Sequence, residues 1–202
     1  MKVLIACEES QTVCQAFRAK GHEAYSCDIL PCSGGHPEWH IKDDVLKHLN
    51  DSWDIMIAHP PCTRLCNSGV VWLEKRNLWK DMEKGADFFK ALLNTNIPLI
   101  AIENPIPHKY ALERIGRKYD QIIQPYMFGN AERKATCLWL KGLPLLKPTK
   151  NVKVEMEKLP KNIAQRIHYT SPGKDRAMIR SKTFKGIAEA MANQWGSYRF
   201  QI

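Results

Sequence analysis

The sequence predicts an α/β domain built on a mostly parallel, doubly wound sheet. Three observations carry that prediction. Short continuous apolar runs at residues 2–6, 55–58 and 99–102 have the length of strands buried on both faces. Segments with helical spacing alternate with them through the first half of the chain. The 202 residues suffice for one well-cored domain and are too few for two of ordinary size.

Residues 2–6 read as the first buried strand, and residues 11–20 as a helix closed by Gly21. Glu23–Asp28 then reads as a second strand ending in an acid. This βαβ opening puts Asp28 about 20 residues after the first turn, where nucleotide-binding α/β folds hold a ribose. A helix-cap or surface aspartate is the other reading. Residues 43–49 form a capped helical turn leading into the strand that ends at His59. Residues 72–94 have helix-compatible spacing, with Leu73, Leu78, Met82, Phe88, Leu92 and Leu93 as core contacts. Residues 98–105 repeat the strand device, and residues 121–127 and 135–140 read as two further short strands. Residues 142–180 differ: proline and lysine recur, periodicity is weak and Ser171-Pro172-Gly173 is a turn, so the segment reads as a connection or docking loop. A closing helix over residues 183–195 starts at Ser181/Thr183 and presents Phe184, Ile187, Ala188, Met191, Ala192 and Trp195 at helical spacing.

Composition narrows the function classes. With 44% hydrophobic and 25% charged residues the chain is an ordinary globular one, which excludes a disordered tail or linker. No apolar run approaches the roughly 20 residues that span a bilayer. The run from Val3 to Cys7 is too short for a signal-peptide core and leads into Glu8-Glu9, so a cytoplasmic protein is expected. Seven cysteines without small-scaffold spacing point to reduced thiols. The net charge of +9 favours a polyanionic partner, nucleic acid first among them. The lysines and arginines between residues 147 and 185 are either a phosphate-tracking face, with Trp39, Tyr169 or Trp195 for base stacking, or scattered solvated side chains.

The chemistry concentrates at two strand ends. In Ile55-Met56-Ile57-Ala58-His59-Pro60-Pro61-Cys62-Thr63 an apolar strand meets two prolines, which withhold backbone donors, and then presents a thiol. In residues 98–105 a second strand ends in Glu103-Asn104-Pro105. Neighbouring parallel strands would bring Cys62 and Glu103 to one carboxyl edge, where such folds place their ligands. Cys62 attacks only as a thiolate, so a helix N-terminus or a cation such as Arg64 is expected to lower its pKa. A pyrimidine accepts a soft nucleophile at carbon 6 when an acid stabilises charge at N3, and carbon 5 then becomes nucleophilic. The alternative is that Pro60-Pro61 simply ends a strand. Cys66 is a second functional thiol or a wall residue. Cys27, Cys32, His36 and His40 are spaced for a zinc site or, equally, for a loop over a bound ligand, and no metal is assigned.

Pro61-Cys62, Glu103-Asn104, the opening strand with Asp28, and Glu132-Arg133-Lys134 before a strand resemble the ordered motifs of the cytosine-5 DNA methyltransferases. His59-Pro60-Pro61-Cys62-Thr63 and the closing helix from Ser181-Lys182-Thr183-Phe184 are similar to a compact bacteriophage version of that family. The resemblance covers roughly residues 1–145 and implies a Rossmann-like class I methyltransferase core there, with residues 146–180 as a substrate-facing loop region and 181–202 as a helix packed back on the core. It further implies that Cys62 attacks carbon 6, that Glu103 protonates or hydrogen-bonds N3, and that carbon 5 takes a methyl group from S-adenosylmethionine. Asp28 would hold the ribose hydroxyls, and Asp44 or its neighbour Asp43 the adenine. Cys7, Glu8, Glu9, Ser10, Ile29, His59 and Pro60 would complete the cofactor site. Arg133 would hold the base or its phosphate, with Pro61, Thr63, Asn104, Pro105 and Lys134 around the substrate. The target cytosine must be flipped out or arrive unpaired. The chain departs from the family in three places: Ala6-Cys7-Glu8-Glu9-Ser10 replaces a Phe-x-Gly-x-Gly turn, Thr63 replaces an amide, and only residues 142–180 are available for target recognition. A single-stranded or nonspecifically read DNA is therefore expected. A relative acting on RNA or a free nucleotide, or a non-catalytic binding module, remains the alternative.

Overall fold

The computed structural model describes residues 1–198. Its strands are β1 (Lys2–Ala6), β2 (Glu23–Asp28), β3 (His40–Lys42), β4 (Ile55–Ala58), β5 (Leu99–Pro105), β6 (Gln121–Ile123) and β7 (Thr136–Lys141). The α-helices are α1 (Thr12–Arg18), α2 (Val71–Lys75), α3 (Trp79–Leu93), α4 (Lys109–Ile115), α5 (Lys153–Glu157), α6 (Lys161–Ala164), α7 (Arg166–Tyr169), α8 (Arg176–Ser181) and α9 (Lys185–Trp195). The seven strands form one sheet in the order β3-β2-β1-β4-β5-β7-β6. All pairings are parallel except those of β7, which runs antiparallel to both β5 and β6. That order, with one reversed strand inserted beside β5, is the class I methyltransferase form of the Rossmann-like fold.

Alternate strand residues enter opposite layers, as a pleated strand requires. Val3, Ile5, Ile55 and Ile57 pack under α1 and α9 with Phe17, Met191 and Trp195. Leu4, Ala6, Met56 and Ala58 pack under α3 and α4 with Phe89, Leu92 and Trp139. Both faces are covered, which is why the strands read as unbroken apolar runs. Each fully buried large side chain contributes about 1.5–3 kcal/mol relative to exposure.

Several sequence expectations are corrected. Residues 72–94 are two helices, α2 and α3, because the chain breaks at Asn77 with φ of 49°. Leu78 and Phe88 are only half-buried, whereas Phe89 is the buried aromatic of α3. Residues 121–127 hold only the three-residue strand β6, and Pro125 then opens a 3₁₀ turn. The segment 142–180, expected as a loop, carries the four short helices α5 to α8. The strand β3 and the helix α4 were not expected. Phe184, not Ser181 or Thr183, precedes α9, and no side chain caps it. Trp195 is fully buried, and its indole N–H donates to the Pro144 carbonyl at 3.0 Å, so it is core and not a stacking surface. The last four residues of the expected 181–202 segment lie outside the described residues.

Candidate active site

The carboxyl ends of β1, β2, β4 and β5 open into one cavity of about 900 Å³. Its floor is the turn after β1. Cys7 takes φ of 58° and Gln11 φ of 57°, left-handed backbone at positions without glycine. The amides of Cys7 and Glu8 both donate to the Cys27 carbonyl, at 2.7 and 3.3 Å. The turn thus has the bend that a glycine ordinarily supplies, held by other means. Gln11 is fully buried, and its amide clasps His36 through both backbone groups, at 2.7 and 3.0 Å. Cys7→Val is expected to cost about 1–2 kcal/mol, because a β-branched residue resists left-handed backbone. Cys7→Gly should stay within about 1 kcal/mol of the parent. Thermal denaturation reads both, and equal effects would refute the strain.

Glu8 turns inward. Its two carboxylate oxygens accept from the Val13 and Cys14 amides at 2.7 and 3.1 Å, satisfying the start of α1. Burial nevertheless raises its pKa, against the pull of His59 and those amides. A carboxyl with a raised folded pKa favours folding below its unfolded value of 4.5, and that increment is lost as pH rises through the folded pKa. Glu8→Gln is therefore expected to gain stability relative to the parent on going from pH 4 to pH 8, read by urea denaturation at the two pH values. Glu9 accepts from the Ser33 hydroxyl, and Ser10 Oγ lies 3.2 Å from Thr12 Oγ1.

At the end of β2, Asp28 accepts from the Leu30 amide at 2.9 Å. Ile29 and Leu30 stand beside it as exposed apolar wall. Asp44 caps the 3₁₀ turn Val45–His48 by accepting from the Leu46 amide at 3.0 Å. Asp43 is held down at about 2 by Lys47, the Asp44 amide and His48, so its charge is already partnered.

The β4–β5 ladder pairs Ala58 with Ile102, so the next residues, His59 and Glu103, meet at the strand ends. His59 Nδ1 lies 3.2 Å from Glu103 Oε2, with the side chains 12% and 11% exposed. Burial opposes ionisation of Glu103, but His59, Lys134 and the Thr183 hydroxyl overcome it and lower its pKa. Burial likewise opposes the His59 cation, and Glu103 and Glu8 overcome it and raise its pKa. Lys134 Nζ donates to the Arg180 carbonyl at 3.0 Å, which steadies its charge beside Glu103.

Cys62 starts a single helical turn in which the Leu65 and Cys66 amides donate to its carbonyl, at 2.9 and 3.0 Å. The expectation of a lowered Cys62 pKa is overturned. Its thiol donates to Cys66 and is buried, and both raise it. Cys66 falls to about 5, because it accepts from Cys62 and, against burial, has Ser68 and the Gly69 amide as further support. Arg64 does not assist: it reaches Asp81 at 4.0 Å. The two sulfurs are thus coupled, and loss of one proton from the pair leaves a thiolate that the other thiol's hydrogen bond stabilises. Cys7, by contrast, is pushed up to about 12 by burial and the Asp28 charge, and is inert.

Of the residues singled out in the sequence, Cys7, Glu8, Glu9, Ser10, Asp28, Ile29, Asp44, His59, Pro60, Pro61, Cys62, Glu103, Pro105 and Lys134 all line this cavity. Three do not. Thr63 is exposed outside it. Asn104 is buried, its amide donating to the Pro105 carbonyl at 2.5 Å. Arg133 lines a neighbouring depression of about 440 Å³ and pairs with Glu157 at 3.6 Å. The sequence reading expected residues 146–180 to face the substrate but did not single out Lys174, Met178, Arg180 or Ser181, which reach the cavity mouth around α8, nor Phe88 as a lining residue. The recurrence of basic residues in that stretch was the available signal. The Cys27, Cys32, His36 and His40 side chains do not converge: His36 stacks on Trp39 at 3.8 Å and His40 Nδ1 lies 2.9 Å from Ser26 Oγ. Among the described residues no three histidine, cysteine or acidic side chains assemble as a metal set. Nor is any described helix long and apolar enough to cross a membrane.

No family model matches the chain, and no curated protein matches it. Solved structures do. A prophage-encoded E. coli protein described as a DNA modification methyltransferase is 14% identical, with a TM-score of 0.47 over 78% of this chain and 55% of that one. The Entamoeba histolytica methyltransferase EhMeth is 15% identical, with a TM-score of 0.49 over 74% and 57%. The S. pombe Dnmt2 methyltransferase is 15% identical, with a TM-score of 0.44 over 96% and 66%. The chain thus spans little more than half the length of the first two. Likenesses at this level carry no argument about activity, which rests below on this chain's own residues.

Proposed function

We propose that the protein transfers a methyl group from S-adenosylmethionine to carbon 5 of cytosine in DNA, through a covalent adduct at Cys62. The observation that carries this reading is one cavity with a thiol and a buried carboxylate at one end and two aspartates beside an apolar wall at the other. The donor set fits the cofactor: Asp28 offers a carboxylate for ribose hydroxyls, Asp44 one for the adenine, and Ile29 and Leu30 cover for the ring. Bound there, S-adenosylmethionine supplies an electrophilic methyl group.

The chain's own residues do the rest. The Cys62 S–H bond breaks, its proton passing to solvent water, as its sulfur bonds to carbon 6 of the ring, while Glu103 serves N3. Lys134 keeps positive charge beside Glu103. The adjoining depression supports a nucleic-acid strand as the partner, since Arg133, Lys134, His168 and Arg180 line it and no carboxylate does. It runs into the cavity at Pro105, Lys134 and Arg180, so a strand with its target base beside Cys62 would lay a neighbouring phosphate there.

The test is nucleoside mass spectrometry of DNA from cells that lack cytosine methylation and express either the parent chain or Cys62→Ala. Modified cytosine with the parent alone is expected. Unmodified DNA in both would overturn DNA as the acceptor and turn attention to RNA or a nucleotide.

A further inference from the structure

We infer that His59 is the positioning partner of Glu103 and the source of the proton that Glu103 presents to the ring, an inference that rests on the cytosine reading above.

The geometry comes first. The Ala58–Ile102 pairing delivers both side chains to the same point of the cavity wall, Nδ1 to Oε2 at 3.2 Å, and both are largely buried. His59 Nε2 is buried and has no hydrogen-bond partner among the described residues. Glu8 is the other acid near the ring, but both its oxygens are taken by amides at the start of α1. Among the described residues Glu103 is therefore the one acceptor to which the imidazole is bound. The groups acting on the pair are Glu103 from β5, Glu8 from the turn after β1, Lys134 from the segment before β7, and Thr183 from the approach to α9. Two flanking carboxylates keep a proton on the imidazole, while His59, Lys134 and Thr183 keep Glu103 ionised. An ionised carboxylate cannot donate to N3, so the mobile proton of this dyad rests on His59 before reaction.

The proton then moves in two balanced steps. First the Nδ1–H bond breaks and a Glu103 O–H bond forms, leaving imidazole and carboxylic acid neutral. Next the Cys62 sulfur bonds to carbon 6, the ring electrons shift toward N3, the Glu103 O–H bond breaks and N3–H forms. Glu103 is again a carboxylate. After methyl transfer the carbon-5 proton passes to solvent water, the C5=C6 bond re-forms as the sulfur leaves carbon 6 with its electron pair, and the N3 proton returns through Glu103 to His59. A backbone-supported hydrogen bond alone would orient Glu103 and do none of this.

His59→Asn separates the two roles, because its amide can donate from the position of Nδ1 but holds no mobile proton. We expect kcat to fall about 100-fold with KM for both substrates unchanged. The fall of kcat at alkaline pH, which in the parent follows loss of the His59 proton, should disappear. Activity within a few-fold of the parent, with the alkaline limb intact, would overturn the inference. A second measurement needs no turnover: imidazole NMR titration of His59 in the parent and in Glu103→Gln. The parent midpoint should lie above the ordinary 6.5 and drop by about one pH unit or more in the variant. Equal midpoints would overturn the coupling. A midpoint that moves in a protein that leaves all cytosine unmodified would sink the cytosine reading and leave the dyad standing.

Discussion

Cys62→Ala is expected to fold normally and to lose methyl transfer by about 10⁴-fold or more, since the sulfur that forms the adduct is removed. The side chain is only partly buried at the start of a hydrogen-bonded turn, so its loss removes little packing. Labelled methyl incorporation and thermal denaturation, run on the same preparation, separate the two effects. The sharper control is Cys66→Ala. Cys66 is the other thiol of the coupled pair, and its pKa is lowered, so Cys66 is the natural rival for the covalent role. Its sulfur, however, is buried and outside the residues that line the large cavity, whereas Cys62 faces it. Cys66→Ala should slow the reaction and leave it measurable, because Cys62 then loses its hydrogen-bond partner but keeps its place. If Cys66→Ala abolished transfer and Cys62→Ala did not, the roles would have to be exchanged.

Gly186→Ala is expected to destabilise the fold by about 3 kcal/mol and to lower activity with it. Gly186 lies in the first turn of α9, where an added methyl would overlap the Phe128 carbonyl oxygen and press on Asn130 Oδ1. Backbone cannot yield as a flexible side chain does, so the helix must move. α9 carries Ile187, Met191 and Trp195 into the layer beneath α1, and Thr183 just before it supports Glu103. Packing and site are thus disturbed together. Urea denaturation measures the first and kcat the second; a loss under about 0.5 kcal/mol would show that the contact is not tight.

The strands that build the site were legible because each is buried on both faces and so reads as an unbroken apolar run. Helix α9 was legible from its periodic Ile187, Met191 and Trp195. Strand β3 was not: His40, Ile41 and Lys42 form a three-residue edge with no core of their own, and only the pairing of Ser26 with His40 makes them a strand. The helices of residues 142–180 are four to six residues long, too short to show a period. The break at Asn77 was hidden because the hydrophobic spacing continues across it, while only the local φ reports the turn.

The sequence by itself determined the sheet class, the strand that carries Glu103 and the loop that carries Cys62, because proline, apolar runs and acids near strand ends act locally. Tertiary structure decided who meets whom. The pairing of Ala58 with Ile102 joins His59 to Glu103, the turn at Cys62 sets its thiol against Cys66, and the chain direction after Arg133 sends Lys134 into the cavity and Arg133 beside it. Such contacts depend on strand register and side-chain direction, and periodicity records burial without recording partners.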